Sequence, residues 1–307
     1  MNGEYEVVII GGGPAGLTAG IYASRARLNS LLLEKGMVGG QIVNAERVEN
    51  YPGFPEGISG FDLIQLMHQQ VERHGLKTIT AEATGIELHE RQKVIKTPEG
   101  DFTAKAVIIA SGSERQKLGI PGEKEFTGKG VSYCATCDAA FFKEQPVAVV
   151  GGGDVAITEA LHLAKFASKV TMVHRRRQLR ASRILQEKAF TEPKIEFLWD
   201  TTVEKIEGGD FVNRIGLHQV TTGKNSTLEV AGIFISVGLK PNTDFLKGVL
   251  PLDAAGHIIT NEKMETEISG IFAAGDVRSN SGRQAIIAAG DGATAAIYAE
   301  KFITQQD

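Results

Sequence analysis

The chain has 307 residues, enough for two ordinary domains, and its 23% charged and 42% hydrophobic residues are the balance of a soluble globular protein. A formal charge of −4 leaves no basic excess to neutralise phosphates, which argues against a general nucleic-acid binder. No apolar run reaches the roughly 18 residues a membrane span needs, and MNGEYEVVIIGGG enters a strand without a basic leader, so the expected location is the cytoplasm.

The first element pattern is EVVIIGGGPAGLTAGIYASRARLNSLLLEKG, which reads as strand, turn, helix, strand. Residues 7–10 form a continuous apolar run, as a strand buried on both faces should. Gly11, Gly13 and Gly16 make G-x-G-x-x-G: a tight turn, a close backbone approach to a pyrophosphate, and close helix–strand packing. Ala15, Ala19 and Ala23 are expected to keep the sheet-facing side of the helix small. The next strand, residues 30–33, ends in Glu34, where an acid accepts hydrogen bonds from ribose hydroxyls. A return strand, AVIIASG at 106–112, closes the unit.

CATCD at 134–138 holds the only two cysteines. In a reducing compartment such a pair is catalytic or metal-binding more often than structural. Zinc needs about four ligands, and no histidine pair follows at finger spacing; His68 and His74 are six residues apart and leave a helix on different faces. A c-type haem needs CxxCH, and here Asp138 stands at the histidine position. So short a loop gains little as a structural staple. Thiol–disulfide chemistry is left, with no metal expected. Asp138 suits proton transfer to a thiolate and equally suits the first turn of a helix; the two roles are compatible.

PVAVVGGGDVAITEALHLAKFASKVTMVHRRRQLR then repeats the nucleotide-binding pattern with Gly151, Gly153 and Ala156 as G-x-G-x-x-A. Its second strand, 170–173, ends in His174, Arg175, Arg176 and Arg177, with Arg180 close behind. Guanidinium groups there pair with a ribose 2′-phosphate that a carboxylate would repel. The first site therefore suits a nucleotide with a free 2′-hydroxyl and the second suits NADP(H). A solvated basic strand end or an RNA-binding patch is the competing reading. GIFISVG at 232–238 returns the second unit. GIFAAGDV at 270–277 has no turn of its own and must complete one of the two sheets, with Asp276 at its end. GRQAIIAAGDGATAAIYAEKFI reads as a final helix whose N-terminus faces the first cofactor. The simplest layout inserts one domain in another: 1–115 with 243–307, and 116–242. Hinges are expected near KLGIPGE (117–123) and GLKPNTD (238–244).

GGGPAG, GGQ (39–41), VENYPG (48–53), CATCD, GGGDVA, HRRRQLR, FAAGDV and RQA (283–285), in that order, resemble the low-molecular-weight thioredoxin reductases over nearly the whole chain. The resemblance implies an α/β fold of two Rossmann-like nucleotide-binding domains with three-layer ββα architecture, the second inserted into the first. It implies FAD, NADPH, a homodimer, and oxidised thioredoxin as substrate. FAD would be held by Gly11, Gly13, Pro14, Ala15 and Gly16, by Glu34, Lys35, Gly39, Gly40 and Gln41, by Asn50, by Ala110, Ser111 and Gly112, and by Asp276, Val277, Arg283, Gln284 and Ala285. NADPH would be held by Gly151, Gly153, Asp154, Val155, Ala156, His174, Arg175, Arg176, Arg180 and Gly238. Cys134, Cys137 and Asp138 would be catalytic, with Cys137 facing the flavin and Cys134 more open to the partner. Four positions depart from the usual pattern: Ala139 stands where Gly is usual, Val155 where a small hydroxylated residue is common, Thr158 where Glu is common, and Arg177 where Asp is frequent.

Both NADPH and the disulfide have to approach a flavin carried by the other domain, so a hinge rotation is expected. A related FAD-dependent dithiol reductase with a glutaredoxin-like, peroxidase-linked or small disulfide partner shares these motifs. Peroxidase-linked relatives carry an extra N-terminal redox module that is not seen here. Ferredoxin-fed relatives lack the basic cluster that this chain keeps. A flavin-bound redox sensor is the non-enzyme alternative.

Overall fold

A computed structural model of the protein describes residues 3–45, 47–90 and 92–305. The chain divides into two compact units: Met1–Glu114 with Lys240–Asp307, and Arg115–Leu239. In chain order the first unit opens with β1 (Glu4–Ile10), α1 (Pro14–Arg25), β2 (Ser30–Glu34), α2 (Gly60–Arg73), β3 (Lys77–Thr80), β4 (Gly85–Leu88), β5 (Lys93–Lys96) and β6 (Phe102–Ile109). The chain passes over in β7 (Ser113–Arg115). The second unit continues with β8 (Val131–Ser132), α3 (Ala135–Asp138), β9 (Pro146–Gly151), α4 (Asp154–Ala164), β10 (Lys169–Val173), α5 (Arg183–Thr191) and β11 (Ile195–Leu198). It ends with β12 (Thr201–Gly208), β13 (Val212–Gln219), β14 (Asn225–Glu229) and β15 (Gly232–Ser236). The chain returns in β16 (Leu239–Pro241), which pairs with β7, and finishes with β17 (Ile271–Ala273) and α6 (Ala285–Thr304).

In the first unit β3, β2, β1 and β6 are parallel neighbours. β6 is long enough to serve two partners on one edge. Its first half pairs antiparallel with β5, and Val107–Ile109 pairs parallel with β17. The segment 270–277 thus completes the first sheet. Strand parity sorts the core into two layers. Val7 and Ile9 face a cluster with Leu17, Ile64, Val71 and Ala295 from α1, α2 and α6. Val8 and Ile10 face the other side, with Ile86, Ile95, Leu246 and Ile258. Sheet, helical layer and antiparallel layer are the three-layer arrangement of a Rossmann-like unit, and the fold class is α/β.

The second unit repeats the plan. Its parallel sheet has the order β11-β10-β9-β15-β8, and β12-β13-β14 form an antiparallel sheet. Val147, Val149 and Met172 bury against Ile157, Ala160 and Leu163 of α4. Ala148, Val150 and Ile233 bury against Val203, Ile206, Ile215 and Leu217 of the antiparallel sheet.

A Cβ added at Gly292 of α6 would collide with the Ala15 carbonyl, so α1 and α6 meet backbone to backbone there. Gly16 lies closest to the sheet: its added Cβ would run into the Gly11 carbonyl and reach Ile9.

Candidate active site

The first unit gathers its predicted residues at the C-terminal ends of β1, β2, β6 and β17. Gly11 has φ +108, a conformation that side chains disfavour, and an added Cβ would strike the Ala110 carbonyl. Gly13 is the N-cap of α1 with Pro14 at its first position, and no side chain caps the helix, so its first N–H groups point outward. Glu34 accepts from the Gly12 amide at 2.6 Å and the Gly36 amide at 3.1 Å, which fixes the carboxylate beside the turn, next to Lys35. The Gly39 amide donates to the Gly12 carbonyl at 2.8 Å, bringing Gly39, Gly40 and Gln41 against the same turn.

Longer-range bonds draw in the rest. Asn50 Nδ2 donates to Gln284 Oε1 at 2.9 Å, which joins the VENYPG loop to the RQA segment and Ala285 at the start of α6. Ser111 Oγ donates to the Asn242 carbonyl at 2.8 Å and so holds the strand end at Ala110, Ser111 and Gly112. Ser113 Oγ donates to the Asp276 carbonyl at 3.2 Å. Burial pushes the Asp276 carboxyl up from its ordinary value, opposed by Ser281 and Arg283. A carboxyl held against its own hydration beside a glycine turn suits a hydroxyl-rich ligand.

A bond that sequence reading did not find secures this end. Arg278 pairs with Asp291 of α6 through Nε at 2.7 Å and Nη2 at 2.8 Å, and Asp291 also accepts from the Gly275 amide at 3.0 Å. Both side chains are nearly buried, so the segment around Val277 is locked to α6.

In the second unit Cys134 and Cys137 form a disulfide with Cα atoms 5.4 Å apart. Cys134 is the N-cap of α3, and the Cys137 amide donates to its Sγ at 3.2 Å. Asp138 ends that single turn, its amide donating to the Cys134 carbonyl at 3.2 Å. One turn carries little macrodipole, so thiolate stabilisation has to come from local N–H groups. Cys137 is exposed and Cys134 is half-buried. The cause is local. The Cys134 amide donates to the buried Ser132 at 3.0 Å, and Tyr133 next to it donates to Glu123 at 2.7 Å. Glu123 also accepts from the Leu118 and Gly119 amides at 3.0 and 2.6 Å. Burial acts to raise its carboxyl, but these hydrogen bonds outweigh it and hold the group below the ordinary value. Burial, with Glu123 beside it, pushes the Tyr133 phenol up.

The second glycine turn lies on the same unit. Gly151 (φ +152) packs between the Ser236 carbonyl and Ala156, whereas nothing lies within 4 Å of a Cβ placed on Gly153, the N-cap of α4. Asp154 accepts from the Ser182 amide at 2.6 Å, and the Arg180 amide donates to the Gly152 carbonyl at 2.7 Å. These two bonds fold the basic segment back onto the turn. Val155 is exposed at the helix start. Gly238, at the strand end, accepts through its carbonyl from the Gln116 amide at 2.9 Å. His174 is buried with its ring against Gly152, its Nε2 3.1 Å from the Gln178 carbonyl, and burial lowers its pKa. His174 therefore shapes the turn as a neutral ring. Arg175, Arg176 and Arg180 are exposed and have no carboxylate partner among the described residues. Arg177 differs from them: its Nε donates to Asp200 at 2.6 Å. Sequence reading also missed Glu159, buried on α4, which accepts from Arg115 and Ser236 and ties the helix to two strand ends.

The sequence profile of the pyridine nucleotide-disulphide oxidoreductases matches residues 5–292. The chain belongs to that family. It is 45% identical over 309 residues to a thioredoxin reductase of Peptoclostridium acidaminophilum, covering 99% of this chain and 98% of that protein. It is 45% identical over 302 residues to the thioredoxin reductase of Bacillus subtilis, covering 98% and 95%. A crystal structure of Lactococcus lactis thioredoxin reductase, in its FR conformation, superposes with a TM-score of 0.96 at 47% identity, covering 98% and 99%. Within the family the chain is of the low-molecular-weight thioredoxin reductase type. Among the described residues no metal-ligating cluster occurs, and no helix is long and apolar enough to cross a membrane.

Proposed function

We propose that this protein is an NADPH-dependent, FAD-containing thioredoxin-disulfide reductase. One observation carries the reading: the disulfide and the nucleotide turn with three exposed arginines share one unit, while the glycine turn closed by an acid belongs to the other. The first unit is the FAD domain and the second the NADPH domain. The residues present fit FAD: helix N–H groups are free at Gly13, a carboxylate is fixed at Glu34, and a second, dehydrated one stands at Asp276. Bound FAD would supply the relay by which the electron pair of one hydride from NADPH reaches the disulfide.

The protein's own residues do the rest. Arg175, Arg176 and Arg180 engage the 2′-phosphate and hold NADPH at the Gly151 turn. Reduction of the Cys134–Cys137 bond takes two electrons and two protons, and Asp138 is the group that carries a proton to the leaving thiolate. One thiolate then attacks the partner disulfide, and the other resolves the mixed disulfide. The substrate is oxidised thioredoxin. Since the flavin and its two exchange partners are assigned to different units, rotation about the paired crossing strands β7 and β16 presents NADPH and the disulfide in turn. Exposed Tyr22, Ile286, Ile287 and Ile297 on α1 and α6 give the FAD domain an apolar surface suited to a homodimer. A reducing cytoplasm suits a dithiol that must be regenerated each cycle.

Anaerobic titration tests the proposal. NADPH should bleach the flavin absorbance well before NADH does, and added oxidised thioredoxin should restore it. In Cys137→Ser, bleaching by NADPH should persist while thioredoxin reduction falls by more than about a thousandfold. Colourless protein that retains no added FAD, or bleaching lost in Cys137→Ser, would overturn it.

A further inference from the structure

A hairpin outside the nucleotide and cysteine motifs reaches the flavin-side cradle. The Asp253 carboxylate accepts from the Ala255 and His257 amides at 2.8 and 2.9 Å, and Leu252 bridges to Ile258. The hairpin is stitched to the cofactor segment. The Ile258 amide donates to the Val277 carbonyl at 3.0 Å, and the Ser279 amide donates to the Ile258 carbonyl at 2.8 Å. Thr243 Oγ1 donates to the Gly256 carbonyl at 2.7 Å and holds the tip. His257 is therefore placed by backbone bonds on both sides, and only 8% of it is exposed.

The imidazole lies between two opposite charges. Its Nδ1 is 3.3 Å from an Asp253 carboxylate oxygen, and its Nε2 is 3.4 Å from Arg283 Nη2. A guanidinium only donates, so Nε2 has to offer its lone pair to it; the proton then belongs on Nδ1, donated to Asp253. Arg283 has no carboxylate in ion-pair contact among the described residues, and its backbone is held at φ +53 with its amide donating to Ser281 Oγ at 3.3 Å. A neutral ring thus orients the guanidinium without cancelling its charge, which stays available to an anion.

We infer that His257, held in one tautomer by Asp253, is a positioning residue that fixes Arg283 for an anionic group of the flavin nucleotide. The inference rests on Arg283 belonging to the FAD cradle, and it adds two residues that the motifs do not contain.

The test is the affinity of FAD for apo-protein, read by flavin fluorescence. His257→Phe keeps a ring but removes the acceptor and should weaken binding about tenfold. His257→Gln restores an acceptor at similar reach and should recover most of the loss. Asp253→Asn keeps the oxygen that caps the hairpin amides but donates to Nδ1; the proton is forced onto Nε2, against Arg283, and binding should weaken as in the Phe variant. Neither His257→Phe nor Asp253→Asn should weaken binding further in an Arg283→Ala background. Equal losses in both backgrounds, or a Gln variant no better than Phe, would overturn the inference and leave the cradle standing. Arg283→Ala with unchanged FAD affinity would overturn the placement of Arg283 in the cradle and the inference with it.

Discussion

The two glycine turns have one plan and opposite endings. In the first, Glu34 closes the second strand and accepts from the Gly12 and Gly36 amides, so the turn is braced by a carboxylate that still has lone pairs to offer. In the second, His174 occupies the corresponding strand end as a buried neutral ring, and the charge stands beyond it on Arg175, Arg176 and Arg180. The same β-α-β geometry therefore presents opposite charge at its two strand ends, through one strand-end residue and the side chains just beyond it. The braces differ as well. The first unit locks its cofactor segment to a helix with Arg278–Asp291; the second locks a helix to strand ends with Glu159, Arg115 and Ser236.

Removing the braces breaks the comparison most severely. Asp291→Ala strands Arg278 in a nearly dry site and should cost about 3–5 kcal/mol by chemical denaturation. Glu159→Ala should cost less, because the Arg115 side chain is 22% exposed and can rehydrate. Next comes the strand end. Arg176→Ala should raise KM for NADPH by about 10- to 100-fold and leave KM for NADH unchanged in steady-state kinetics. Arg177→Ala is the matched control: it is committed to Asp200, so neither KM should move. The third glycine position gives a smaller contrast. Gly16→Ala drives a Cβ into the Gly11 carbonyl and should cost about 1–3 kcal/mol, whereas Ala156 already occupies that position in the second turn, where Ala156→Gly should cost about 1 kcal/mol.

Asp276 gives the finest distinction, because among the described residues no buried carboxyl with a raised pKa guards the second turn. Its folded-state pKa is raised by burial, so its ionisation opposes folding and the stability it contributes is lost as pH rises through that raised value. Asp276→Asn should therefore melt higher than wild type at pH 7 as apo-protein, with the gap closing as pH falls toward the ordinary carboxylate range near about 4. A gap that is independent of pH would show that hydrogen bonding, not desolvation, governs this carboxyl.

Local features were legible in the sequence where chemistry and spacing coincide. The glycines and Glu34 in the first unit, and the glycines and the two cysteines in the second, each follow from geometry within about thirty residues of chain. Pairings between distant segments were not legible. Arg278 and Asp291 sit in a loop and a helix, and nothing in the spacing announces their bond. Four consecutive basic residues read as one cluster, but strand parity and the turn after β10 bury His174 and send Arg177 to Asp200. The relative exposure of the cysteines comes from Ser132 and the Tyr133–Glu123 bond, which act on Cys134 from outside the motif. The DAAGH hairpin carries one local hint, an Asp four residues before a His, but its partner Arg283 lies 26 positions further on.

The shared strand β6 has a consequence for biosynthesis. Val107–Ile109 leave the ribosome with their pairing edge bare, and β17, which covers that edge, is translated about 160 residues later. At about 5–20 residues per second this interval lasts roughly ten seconds or more, long enough for the intervening unit to emerge and collapse by itself. During that time the edge is open to wrong partners, so the nascent first unit is the part of the chain with most need of a chaperone.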